Sequence, residues 1–527
     1  MKHTVFFCII TFCSFQTIAA VNADENLTRE VKRLQQDTKR LAYQLKHLQT
    51  QVAKGPEVKK SNVTINNTPL PAAKPNAKKR EVKSFHSSTL TVHQLDNHPE
   101  SLDFYPTALI ADNRVVTYIA GTPVVSSPYL GSRPAFDGSD YIVNISSINR
   151  DIRLMQQRRR LYRAYESIGY PIPQMPIIAL SGKVEPLAVV GDPFENKRWG
   201  DITLGSGELD VAAILNDKVE AYLSLAYDSA PPDVGGQRLS NSSIDLNMGF
   251  VNIGDLDKSP LYFTAGQLFV PFGRFSTAMV SAPLTMIFGR TKSRPVIFGY
   301  KSQQDSGPYA ALYGFSSDTT LGSSASGGIN AGYVIDTPNC SGEIGGSLIS
   351  DINDTGGMQF TGSSPGNTFG GFSSPTNGSE NVRKTPAAGV HGHLNIDRYN
   401  FTAEWVGTTS QFRYEDLSFN GRGARPAAAQ LEAAVTFNTF DKPASIAAGY
   451  QWSSETLALN LPHQRVSGVF NISIWKDTVE SLEYRHDMNF NKNQYANGAH
   501  PPGSLNANTI GPGGATDTLL AQIGVYF

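Results

Sequence analysis

Four cations lie close together in the middle of the chain: Arg274, Arg290, Lys292 and Arg294. Guanidinium and ammonium groups gathered in this way recognise anions, whether carboxylate or phosphate. The plainer reading is ordinary polarity, with arginines balancing carboxylates such as Glu220, Glu404 and Glu483. His391 and His393 stand two apart, so on a strand they share a face and could share a metal. No third ligand accompanies them, so the expectation is histidines facing water and no metal. The stretch DINDTGG at 351–357 begins like a calcium loop but lacks the closing glutamate spacing, and reads as a Gly-rich surface loop. No G-x-S-x-G elbow and no Glu-x-x-His site stands out. These residues could bind solute; nothing in them calls for an enzyme or a cofactor.

The elements that must position these residues are strands. LDVAAIL-NDK-VEAYLSLAYD reads as a hairpin turned by Asn216 and Asp217. Leu209, Val211, Ala213 and Leu215 fall on one face, then Val219, Ala221, Leu223, Leu225 and Tyr227; Asp210, Glu220 and Ser224 lie opposite. VHGHLNI-DR-YNFTAEWV repeats the plan, with Val390, Leu394, Ile396, Tyr399, Phe401 and Trp405 set against His391, His393, Asn395, Asn400, Thr402 and Glu404. VSGVFNISIW-KD-TVESLEYRHDM does so again, and in the final TLLAQIGVYF Leu519, Ala521, Ile523, Val525 and Phe527 share a face. Tight turns alternate with long Gly-, Ser- and Asn-rich connections such as 351–384. That is the layout of a transmembrane antiparallel barrel. Long helices are missing here, which disfavours a parallel sheet with crossovers. Residues 176–527, at roughly 22 residues per strand and connection, hold about 16 strands. The fold class is therefore all-β. A barrel of that size encloses water unless something fills it, so it is a pore or a plugged transporter. A barrel lipase would need its Ser–His pair at the lipid-facing rim, whereas these histidines face the lumen.

Composition agrees. The net charge is −1, from 45 basic and 46 acidic residues, so no field favours nucleic acid. Only 17% of residues are charged, while Gly, Phe and Tyr number 47, 27 and 21. The mean hydropathy of −0.25 suits a secreted β protein and an outer-membrane barrel alike, since barrel strands alternate lipid-facing and water-facing residues.

The N-terminal part divides into four. Residues 1–23 have a basic start, an apolar run and small residues at Ala19, Ala20 and Ala23, the pattern of a signal peptide. With it removed, Cys340 is the sole cysteine, which excludes an internal disulfide. Within residues 24–53, Leu27, Val31, Leu34, Thr38, Leu41, Leu45, Leu48 and Val52 step by four and three, a coiled-coil seam that implies a homo-oligomer, dimer or trimer. Residues 54–86 form a flexible Lys- and Pro-rich linker. Residues 87–175 are mixed and periplasmic or plugging, with one clear helix, SSINRDIRLMQQRRRLYRAYES. Its Ile148, Ile152, Met155 and Tyr162 form a stripe. Its basic face suits an acidic partner, a place in a polar channel, or plain solvent.

Two resemblances add to this. LYFTAGQLFVPFGRF, with Gly266, Pro271, Phe272 and Gly273, is similar to a segment of phosphate-selective porins. The layout of signal peptide, LTREVKRLQQDTKRL coil, linker, mixed region and barrel resembles the LbtU family of siderophore porins, Legionella-type outer-membrane proteins. That resemblance implies iron transport: uptake of a ferric siderophore across the outer membrane, independent of TonB coupling. The alternative is a general or anion-selective porin carrying small anionic solutes. The terminal strand ending in Phe527 resembles those read by the barrel assembly machinery, with outer-membrane lipid around the wall.

Overall fold

The computed structural model describes residues 115–119, 122–126, 148–156, 158, 176–193, 198–227, 244–304, 306–317, 324–337, 340–358, 382–396, 398–440, 442–475, 478–496 and 510–527. The coil seam and the signal segment expected from the sequence lie outside these residues.

Sixteen antiparallel strands close on themselves. They are β1 (Ile177–Pro193), β2 (Trp199–Ile214), β3 (Val219–Tyr227), β4 (Asp245–Gly254), β5 (Leu261–Phe269), β6 (Val296–Lys301), β7 (Gly307–Ser316) and β8 (Ala325–Thr337). The second half comprises β9 (Cys340–Ile349), β10 (Ala387–Ile396), β11 (Tyr399–Thr408), β12 (Ala427–Thr439), β13 (Lys442–Ser454), β14 (Gln464–Ile472), β15 (Thr478–Met488) and β16 (Ala515–Tyr526). Each strand pairs with its neighbour in sequence, and β16 returns to β1 with Val525 opposite Val184. Closure leaves the wall no exposed edge.

The alternation read from the sequence becomes the two faces of the wall. Outward residues are large and apolar: Phe298, Leu431, Trp405 and Ile523 are 61, 59, 40 and 49% exposed. Many inward residues are polar and covered, among them Glu208, Asp210, Glu220, Asn252, His391, Glu404 and Gln451, while β6 and β7 turn Ile297, Tyr313 and Phe315 inward. The last strand follows the expected faces, with Leu519, Ile523, Val525 and Phe527 outside and Leu520, Gln522 and Tyr526 inside. Phe527 N–H donates to the carbonyl of Gly182 at 2.9 Å, and Gly182 N–H donates back, which locks the closing seam. Where β16 stops, a short hairpin, Val115–Ile119 with Thr122–Ser126, continues the sheet by pairing parallel to β1, Val125 opposite Ala179.

Short turns and long connections occupy opposite ends. Strands that end at Ile214, Ile396 and Thr439 are followed within a few residues by the next strand, while those that end at Ile349, Thr408 and Met488, on the other side, are followed only after long stretches of chain. The connection after β5 behaves differently. The Pro271–Phe275 stretch leaves the wall at Val270, and residues 270–293 are nearly all covered. They run inside the barrel, with a short helix at Leu284–Gly289. The main core therefore sits in the lumen: Phe272, Phe275 and Phe288 are among the largest side chains fully shielded.

DINDTGG is not the surface loop expected. Asp351, Asn353 and Thr355 are fully covered. Asp351 accepts N–H groups of Asn353 and Thr385 and the hydroxyl of Ser317. Gly356 N–H then binds Arg290 O at 3.0 Å, so the stretch braces the end of the inward segment.

Candidate functional site

The inward segment is held by carboxylates that rise from the wall. Glu404 on β11 accepts Arg274 N–H at 2.6 Å, Phe275 N–H at 2.9 Å and the Thr285 hydroxyl at 3.2 Å. Glu432 on β12 accepts Thr277 Oγ1–H at 2.6 Å and Ala278 N–H at 2.9 Å. Glu483 on β15 accepts the N–H of Ser281 at 2.9 Å and its hydroxyl. Gln451 on β13 takes Leu284 N–H at 2.8 Å, and Arg465 on β14 donates to Ala282 O at 3.1 Å. A segment without strand partners has orphan backbone groups, and buried ones must be satisfied. Here the wall supplies the acceptors. Glu404 and Glu483, read from the sequence as counter-charges for arginines, bind backbone N–H groups, and Glu483 also lies within electrostatic reach of Arg485; Glu220 pairs with Arg158.

Sequence makes this path possible at its tightest turn. Gly273 has φ +73°, and a Cβ there would strike the ring of Phe275. Its N–H donates to Ser347 Oγ at 2.9 Å.

Of the four expected cations, Arg274 reaches the inner wall, where its Nε lies 3.1 Å from Glu343 Oε1. Arg290 lies over the Phe269 ring at 4.6 Å. Lys292 and Arg294, on the returning limb, are exposed. The four are therefore strung along the segment, with Arg274 apart from the other three. His391 meets Glu343 at 3.4 Å and Tyr309 Oη at 3.1 Å. His393 meets Thr402 and Asn395 instead. Among the described residues no group of three or more His, Cys, Asp or Glu is placed to hold a metal ion.

A second element enters the lumen near the short-turn end. Helical residues 150–156 lie against the inner faces of β3, β4 and β5. Arg158 pairs with Glu220 at 3.0 Å and donates to Gly254 O at 2.9 Å. Asn252 donates to Asp151 O at 3.1 Å, and Thr264 to Asp151 Oδ2 at 3.0 Å. The Arg150 guanidinium lies 5.5 Å from the Tyr222 ring. Residues 150–156 and 158 thus lie against the inner face of the barrel wall.

No family model matches the chain. A UPF0422 protein of Legionella pneumophila (strain Paris) is 67% identical over 461 residues, 87% of each chain. A UPF0422 protein of Coxiella burnetii (strain RSA 493 / Nine Mile phase I) is 36% identical over 406 residues, 76% of this chain and 83% of its own. Among solved structures, an anion-selective porin from Comamonas acidovorans aligns with a TM-score of 0.42 at 11% identity, over 66% of this chain and 99% of its own. The outer membrane channel DcaP of Acinetobacter baumannii aligns with a TM-score of 0.40 at 12% identity, over 66% and 96%. The barrel assignment rests on the strand pairing itself.

Proposed function

The chain belongs to the UPF0422 family, and from that membership and its closed wall we propose that it is a channel of the bacterial outer membrane. One observation carries this reading: the wall is apolar outside along its circuit and largely polar inside, apart from an aromatic and aliphatic inner stretch on β6 and β7. An apolar exterior on a closed sheet matches lipid, because closure pairs the wall's backbone between neighbouring strands. The polar interior suits a water-soluble cargo. Residues 270–295 narrow the passage and leave Lys292 and Arg294 to meet what passes, while Glu343 holds Arg274.

The cargo in this reading is a ferric siderophore, moved without TonB coupling; a general or anion-selective porin is the alternative. Support for the first comes from the likeness to siderophore porins and from Arg274, Arg290, Lys292 and Arg294 spaced along the inward segment. Residues 1–23 would direct export, residues 24–53 would join copies into an oligomer in the periplasm, and the terminal strand would be read by the assembly machinery.

Planar-bilayer recording tests the channel. Steady conductance from the purified full chain is expected, and an electrically silent bilayer would end the proposal. Deletion in an iron-limited host separates the cargoes. Loss of ferric-siderophore uptake with small-anion permeability intact selects the siderophore; loss of both in parallel selects the general porin.

A further inference from the structure

One imidazole lies between the two carboxylates that hold the start of the inward segment. His391 on β10 stands opposite Glu404 on β11 and opposite Gly345 on β9. Glycine at 345 leaves room for the ring: a Cβ there would lie 2.7 Å from His391 Nε2 and 2.5 Å from Tyr309 Oη. The ring therefore reaches Glu343, with Nε2 at 3.4 Å from Oε1 and at 3.1 Å from the Tyr309 hydroxyl of β7. The same Oε1 lies 3.1 Å from Arg274 Nε. One carboxylate oxygen is thus shared between a guanidinium that is always charged and an imidazole that is charged only when protonated.

The surroundings favour a charge on that ring. Glu404 accepts the N–H groups of Arg274 and Phe275 and the Thr285 hydroxyl, so dipoles satisfy it and no cation cancels it there. Glu432 on β12, held in the same way by Thr277 and Ala278, lies within electrostatic reach of Glu404. The cation set against these carboxylates on the inward segment is Arg274. A proton on His391 adds positive charge among acids, the setting in which a buried charge costs least.

His391 Nδ1 is covered and has no hydrogen-bond partner. With a hydrogen on Nε2 aimed at Glu343, the Nδ1 lone pair is left to take the second proton. His393, opposite Glu343 on the same strand, turns instead to Thr402 and Asn395. Arg274 and Glu343 are 13 and 14% exposed and the His391 side chain 2%, so a charge on the ring is felt in the lumen through Glu343.

We propose that His391 sets the charge preference of the pore according to pH. Neutral, it leaves Glu343 matched by Arg274. Protonated at Nδ1, it binds Glu343 through Nε2–H and adds one positive charge beside the passage. The proposal rests on the channel reading and adds to it the residue that governs anion preference. His391 is a positioning residue, since it acts through Glu343.

Reversal potentials in a potassium chloride gradient test this with the purified full chain. From about pH 8 to about pH 5 the chloride-to-potassium permeability ratio of wild type should rise about threefold, the Coulomb effect of one added charge on a nearby ion in water. H391Q and H391F should hold the ratio flat, while H393Q should keep the rise. Heat-modifiable gel mobility checks that each variant is folded. A flat wild-type profile would overturn the proposal, as would an undiminished rise in folded H391Q or H391F. Histidine resonances of the isotope-labelled chain in detergent give a reading without current, His391 being the signal lost in either variant. That signal should move between about pH 8 and about pH 5. A silent bilayer with a moving His391 signal removes the channel and keeps the proton site. A conducting bilayer with a stationary signal does the reverse.

Discussion

The carboxylate of Glu404 accepts the backbone N–H of Phe275 at 2.9 Å, although 129 positions separate the two in the chain. Phe275 has φ of 61°, a left-handed conformation that is unfavourable for a bulky side chain. It is held there because Arg274 N–H binds the other oxygen of the same carboxylate. E404Q keeps one acceptor and turns the second into a donor that faces an N–H. The expected result is a loss of about 1–3 kcal/mol in unfolding stability, with noisier single-channel current as residues 270–295 loosen. A quiet trace with an unshifted melting curve would show that the carboxylate does not fix the segment.

Arg158 and Glu220 form an ion pair whose side chains are 5% and 1% exposed. Removing either partner strands a buried charge, which destabilises by about 3–5 kcal/mol, while removing both is milder. R158A should therefore undock helical residues 150–156 and raise single-channel conductance. The double variant R158A/E220A should fall between R158A and wild type. Additive effects of the two single changes would mean that the pair does not latch the helix.

Much of the wall was legible in advance, and the reason is periodicity. Leu209 to Tyr227 and Val390 to Trp405 alternate so regularly that face, turn and neighbour all follow from a period of two. The strand count follows from length, because membrane thickness fixes strand length. The lumen was harder. Residues 270–293 have no period, because their backbone is satisfied by side chains from far along the chain rather than by a neighbouring strand. Pro271–Gly273 signalled a turn but not its direction. Glu404 and Glu483 look the same in sequence whether they meet an arginine or a backbone N–H.

Leu431 lies mid-strand on β12 and is 59% exposed, while the adjacent Gln430 and Glu432 point inward and are covered. If the exterior meets lipid, L431R should destabilise the folded barrel in bilayers by about 2–4 kcal/mol, because arginine is costly at the midplane. A soluble protein would accept arginine there at a cost within about 0.5 kcal/mol. Urea titration of the barrel refolded in vesicles distinguishes the two, and a neutral L431R would remove the membrane from the account.

Asp151 faces Thr264 and lies near Glu220 and Arg158, and it is 1% exposed. Burial pushes its carboxyl up from 3.8 to about 6. The native state therefore holds this proton more tightly than the unfolded chain does. By linkage, its contribution to stability is complete below about pH 4 and is lost as the pH rises through about 6. A shift of this size corresponds to about 3 kcal/mol at most. D151N keeps an oxygen for the Thr264 hydroxyl and cannot ionise. Its melting temperature relative to wild type should therefore climb between about pH 4 and pH 7, with the steepest rise near about pH 5, midway between the unfolded and native values, and a plateau above about pH 7. Glu220 and Arg158 are present in both proteins, so the difference between the two profiles isolates position 151. Two parallel profiles across that range would mean that Asp151 is solvated, and that the helix does not sit as tightly against β4 and β5 as its contacts with Asn252 and Thr264 require.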